Sequence, residues 1–199
     1  QQPSRLFEVL QAWGAMPRIL PELATLWERE PDSARTLLQT INRAAQQQQT
    51  LPVRFAVMLL AGQLNADQLK SLSLRLKVPN DSKELAQLLH KFHGIWPQIL
   101  TMSAQQKLDF LMALDAIRQP YRLTDYLSAV RCYFGDLAAE ASCQPGLLLH
   151  KALAAAVSID AGAIAHACSE PSKIKQAVYA ARLQAALAPL YKQVHTVAL

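Results

Sequence analysis

The chain reads as an all-α protein, a multi-helical orthogonal array, and three observations carry that expectation. Apolar residues recur at three- and four-residue spacing in segment after segment, and the alternation of β-branched residues expected of strands is missing. Hydrophobic residues are 51% of the 199, dispersed among Gln, Lys, Arg and Asp rather than gathered in runs. Breaks between segments fall at residues that start or stop helices, with eleven prolines and six glycines as punctuation.

The elements follow in order. Leu6, Val9, Leu10 and Trp13 line one face of an opening helix, which Gly14 can end in the left-handed conformation. Pro21 suits the first turn of a short helix ending near Trp27. Asp32 or Ser33 can cap a helix to about Gln48 with Leu37, Leu38, Ile41 and Ala45 as its stripe. The run from Pro52 to Leu64 is apolar nearly all round, the mark of a helix at the centre of a domain. Asn65 caps the next helix through Leu76. Pro79 then forces a break, and Asp81 or Ser82 begins a helix to about Trp96. Ser103 and Gln106 match a capping box for a helix to about Arg118. Pro120 opens a helix carrying Leu123, Tyr126, Leu127, Val130 and Phe134. Pro145 sits in the first turn of another through Ala156, and a short helix follows at Ala163 to Ala167. Ser169 or Glu170 before Pro171 starts a final helix to about Val194, which Pro189 should kink or divide.

Composition narrows function. No apolar run approaches the roughly 20 residues of a membrane span, so no membrane role is expected. Cys132, Cys143 and Cys168 form no C-x-x-C pair and fit free thiols of a cytoplasmic protein. Gln1 in place of an initiator Met suggests a trimmed product of something longer. A net charge of +5 is compatible with a polyanionic partner. Its distribution says more, because residues 171 to 199 hold Lys173, Lys175, Arg182 and Lys192 and no carboxylate. Neither G-x-x-x-x-G-K-[ST] nor G-x-G-x-x-G occurs, which leaves no phosphate-cradling loop. His90 and His93 lie one turn apart, but two imidazoles lack the third or fourth ligand a zinc site needs and read as structural. Asp109 and Asp115, six residues apart on one helix, read as solvated charges. No catalytic residue and no metal site is expected, and the fragment alone should be inactive.

Several blocks, in the right order, carry a family resemblance. They are the opening L-F-E-V-L-Q-A-W-G-A-M-P-R-I-L-P-E-L-A-T-L-W, V-R-F-A-V-M-L-L at 53 to 60, and R-L-K-V-P-N at 75 to 80. To these are added Leu88 to His93, L-D-A-I-R-Q-P-Y-R at 114 to 122, and I-K-Q-A-V-Y-A-A-R-L-Q-A-A-L at 174 to 187. Together they resemble the carboxyl-terminal region of bacterial CCA-adding tRNA nucleotidyltransferases of the form that carries an HD phosphohydrolase domain. The family's H-D-L-G-K-G falls here on Leu60, Ala61, Gly62, Gln63 and Leu64. Its upstream ligand histidine falls near Thr36, and its His- and Gly-rich segment is deleted. Only His93 of that neighbourhood persists, so the resemblance implies lost HD chemistry and an ordinary core at Leu60 and Ala61.

The resemblance also implies two regions. Residues 1–100 would be a helical body with a degenerate HD-like core, and residues 101–199 a helical tail with a basic last helix. The partner it implies is tRNA. Arg118, Arg122, Lys173, Lys175 and Arg182 would contact phosphates without reading bases, the role that positions a protein on nucleic acid. No cofactor is expected for this fragment; Mg²⁺ with CTP and ATP belong to an amino-terminal head that performs nucleotidyl transfer. The alternative is a non-catalytic helical interaction module, derived from an HD domain, that self-associates as a homo-oligomer.

Overall fold

In the computed structural model, residues 2–135 and 143–194 are described, with the side chains of 143 and 188–194 excepted. Among the described residues there are twelve α-helices and no strand, so the chain is all-α. Two compact units divide the chain: residues 1–94 with 125–140, and residues 95–124 with 141–199.

The first unit contains α1 (Ser4–Ala12), α2 (Met16–Ile19), α3 (Pro21–Arg29), α4 (Pro31–Gln46), α5 (Leu51–Ala61), α6 (Ala66–Arg75), α7 (Asn80–Phe92) and most of α9 (Tyr121–Phe134). Helix α5 is its centre, packed against α4 and α7, with Val53, Ala56, Val57, Leu59, Leu60 and Ala61 buried. That follows from the all-round apolar run, which has no polar face to turn outward. Asn65 and Gln68 form a reciprocal capping box that starts α6. From α9, the fully buried Tyr126 donates its hydroxyl proton to the carbonyl of Phe92 at 2.9 Å. Arg43 of α4 reaches the Cys132 carbonyl at 2.6 Å. The following Gly135 has φ +63°, the left-handed conformation that favours glycine, and a Cβ there would lie 2.7 Å from the Arg43 guanidinium, which would have to shift.

Several local expectations change. The buried stripe of α1 is Ser4, Phe7 and Leu10, while Leu6, Val9 and Trp13 are exposed, Trp13 by 81%. Phe7 stacks on Trp27 with ring centroids 5.9 Å apart, and Asn42 hydrogen-bonds Ser4, which together set the rotation of the helix. Helix α4 begins at Pro31, with neither Asp32 nor Ser33 capping it; the Ser33 hydroxyl donates to the Glu30 carboxylate instead. Likewise α7 begins at Asn80 without a side-chain cap and ends at Phe92, passing into a 3₁₀ turn at His93–Gln98. Gly14, at φ +63°, ends α1 as expected.

The second unit holds α8 (Ala104–Ala113), the first residues of α9, α10 (Cys143–Val157), α11 (Ala161–Ala167), a 3₁₀ turn at Pro171–Lys173, and α12 (Ile174–Val194). Helix α8 starts with the capping box of Ser103 and Gln106. It stops at Ala113 rather than near Arg118, because Asp115 takes a left-handed φ of 57°. Helices α8 and α10 both pack on α12. Asp160 caps α11 by accepting from the Ala163 amide at 2.9 Å. Helix α12 runs on through Pro189 to Val194 without a break. The side chains of Lys192 and Cys143 lie outside the described residues.

Candidate nucleic-acid interface

Helix α12 presents Lys175, Val178, Tyr179 and Arg182 along one face, the spacing that aligns side chains on successive turns. With Met112 of α8 and Ser172 of the preceding turn, they line a cleft of about 650 Å³ within the second unit. Lys175 and Arg182 bracket Tyr179, one turn before and one turn after it. The Tyr179 hydroxyl donates to a carboxylate oxygen of Asp109 at 2.8 Å, fixing the phenol against α8. That bond, foremost, holds the phenol above its ordinary pKa, because removing its proton would set one anion against another. The Arg182 Nε is enclosed and has no acceptor, an unusual state for a buried charged donor.

The other cations are already engaged. Lys173 pairs with Glu170 at 2.9 Å across an exposed i, i+3 step. Arg118 grips Asp115 through Nη2 at 2.6 Å and Nε at 3.1 Å, and Gln119 donates to the same oxygen. These bonds, with Arg122 as a further positive neighbour, hold the Asp115 carboxyl below the usual carboxylate range. Exposed pairs of this kind are weak and open readily to a competing anion. Of the five cations expected from the sequence, the structure thus brings Lys175 and Arg182 into one cleft, with Lys173 in the turn that leads to it. Arg118 and Arg122 are not among its lining residues.

The carboxylates read as solvated charges have specific work: Asp109 anchors Tyr179, and Asp115 gathers Arg118 and Gln119. Tyr179 itself went unnoticed in the sequence. The signal available was its position midway between Lys175 and Arg182 on one helical face; the partner 70 residues upstream has no local signature.

No family model and no solved structure matches the sequence. Curated relatives do. Over 93% of its length the chain is 39% identical to a multifunctional CCA protein of Methylobacillus flagellatus, covering 52% of that protein. It is 37% identical over 92% of its length to one of Burkholderia multivorans, covering 51%, and 35% identical to one of Burkholderia mallei over the same share. The chain is homologous to part of the multifunctional CCA proteins. It spans about half the length of the curated relatives it matches.

In this CCA-protein homologue the side chains at 60 and 61, where the sequence resemblance would put an H-D pair, are hydrocarbon. Leu60 is 8% exposed and Ala61 3%, both on the central helix α5. A Cβ added at the next residue, Gly62, would lie 2.3 Å from a methyl of Leu23, so the space is filled. His90 and His93 have ring centroids 6.4 Å apart, and His93 Nδ1 is bonded to the His90 carbonyl at 2.9 Å. A carbonyl only accepts, which places the proton on Nδ1 and leaves one ring nitrogen of His93 available. Among the described residues no three His, Cys, Asp or Glu side chains gather as a metal site would require. These residues do not fit a divalent HD metal.

Proposed function

We propose that this chain is the carboxyl-terminal, tRNA-holding part of a CCA-adding tRNA nucleotidyltransferase, acting in tRNA 3′-end processing in the cytoplasm. Nucleotidyl transfer, with its Mg²⁺, CTP and ATP, belongs to a head outside these residues, and HD phosphohydrolase activity is lost at Leu60 and Ala61. The observation that carries this reading is the homology to multifunctional CCA proteins over nearly the whole chain. The cleft of α12 supports it, since Lys175 and Arg182 supply neighbouring cations for phosphate. Lys173, Arg118 and Arg122 would add phosphate contacts, Lys173 and Arg118 exchanging the surface carboxylates of Glu170 and Asp115 for phosphate oxygens.

Titration of the chain with tRNA at several salt concentrations tests the proposal. Affinity should fall linearly on a log–log plot, and replacing Lys175 and Arg182 together by Gln should flatten the slope by roughly 2, one counterion per lost contact. Binding that ignores salt, or a double variant with the parental slope, refutes it. A second reading, a self-associating helical module, is favoured by one observation, the exposed Leu6, Val9 and Trp13 of α1. Light scattering showing a stable oligomer, together with tRNA binding no tighter than that of heparin, would establish it instead.

A further inference from the structure

We propose that the α12 cleft receives a single unstacked nucleotide of the bound RNA, its base against the ring of Tyr179 and its phosphate against Arg182 and Lys175. The proposal deepens the RNA-binding reading and rests on it.

Four features lead to this ligand. The first is shape. Contacts to the outer backbone of a duplex need only a charged surface, whereas a recess of about 650 Å³ lies in the size range of small-ligand sites. The second is the ring. Tyr179 has its hydroxyl committed to Asp109, so the phenol is pinned and what remains to offer a ligand is its face. A base needs just such a platform, and every base has a π-face to place on it. Met112 and Val178 line the same recess and suit an aromatic guest better than an ion alone.

The third feature is the enclosed Arg182 Nε without an acceptor. That nitrogen is closed to solvent, so a phosphate would meet the other guanidinium nitrogens of Arg182, whose fixed fork favours phosphate geometry over a bare point charge. Lys175, one turn before the ring, provides the second cation. The fourth is what is missing from the sequence: with no glycine-rich loop, nothing cradles a triphosphate, so the fit is to one phosphate and one base within a strand. RNA loops present such splayed nucleotides, and duplexes do not.

The test uses the whole chain with three fluorescein-labelled probes: tRNA, a single-stranded RNA hexamer and a blunt twelve-base-pair RNA duplex. Tyr179→Ala should weaken the hexamer and tRNA by roughly 5- to 150-fold, the value of one base stack, and leave the duplex unchanged. Because no charge is lost, the salt slope should stay parental, in contrast to that of the Lys175 and Arg182 double variant. Tyr179→Phe, which keeps the ring, should bind nearly as well as the parent. Tyr179→Leu keeps apolar volume for folding but loses the stack, and should behave like Tyr179→Ala. Parental hexamer affinity in both Tyr179→Ala and Tyr179→Leu overturns the nucleotide pocket while leaving the tRNA reading standing on its salt slope. Equal loss on all three probes also overturns it, and a parent chain that binds no tRNA removes both readings together.

Discussion

Placing an acid at Ala61, where the proposed function puts a lost HD metal ligand, tests whether that position is core. Ala61 is 3% exposed on α5, the helix against which α4 and α7 pack. Ala61→Asp would place a carboxylate there with no designed partner, and an uncompensated buried charge costs about 3 to 5 kcal/mol. For a domain whose total stability is about 5 to 15 kcal/mol, that is a large fraction. With a urea m-value of about 1 to 3 kcal/mol/M, the midpoint for the first unit should drop by roughly 2 M. The sign with pH is fixed by the same physics. Burial raises the carboxyl pKa in the folded state above its unfolded value of about 3.9, so the penalty grows as pH rises through that interval. Urea titrations followed by far-ultraviolet circular dichroism should therefore show a larger loss at pH 7.5 than at pH 4.5. Ala61→Asn, uncharged and similar in size, should lose less and show no such pH dependence. A variant as stable as the parent at pH 7.5, or one restored by stoichiometric Mn²⁺ alone, would show that a polar metal pocket survives and would refute the reasoning.

Two further outcomes follow from buried groups of the first unit. Tyr126→Phe removes the proton donated to the Phe92 carbonyl and should cost about 1 to 2 kcal/mol in the same urea assay; a change under about 0.5 would mean the bond contributes nothing net. Burial pushes the Cys132 thiol up to about 11, with Arg43 and Arg131 offsetting it in part. Because the thiolate is the nucleophile, alkylation of Cys132 by iodoacetamide at pH 8 should lag that of the half-buried Cys168 by on the order of 100-fold, read by peptide mass spectrometry, and the lag should vanish in denaturant.

What the sequence made legible was local. The capping boxes at Asn65 and Ser103 need only residues three apart, and both form as read. The central position of α5 was visible because an all-round apolar helix has one place to go. Where partners lie far along the chain, the reading failed. The rotation of α1 is set by Trp27 and Asn42, so of the expected stripe Leu6, Val9, Leu10 and Trp13 only Leu10 faces the core. Helix α8 ends early because Asp115 turns left-handed to meet Arg118 and Gln119, a choice that apolar periodicity does not encode. The cations of α12 could be found from charge alone, but the anchoring of Tyr179 by Asp109 could not.

The return of residues 125–134 to the first unit has a consequence for how the protein is made. Residues 1–94 emerge before residues 125–134 during synthesis, yet the side chain that bonds the Phe92 carbonyl and the carbonyl that receives Arg43 are encoded more than thirty residues later. Until α9 leaves the ribosome, α4 and α7 lack these partners and the surface they cover stays open to solvent. The nascent chain must therefore hold an unfinished α-helical core while the start of the second unit is translated. A polypeptide stopped near residue 100 would remain in that state, a target for chaperones and proteases rather than a stable folded unit.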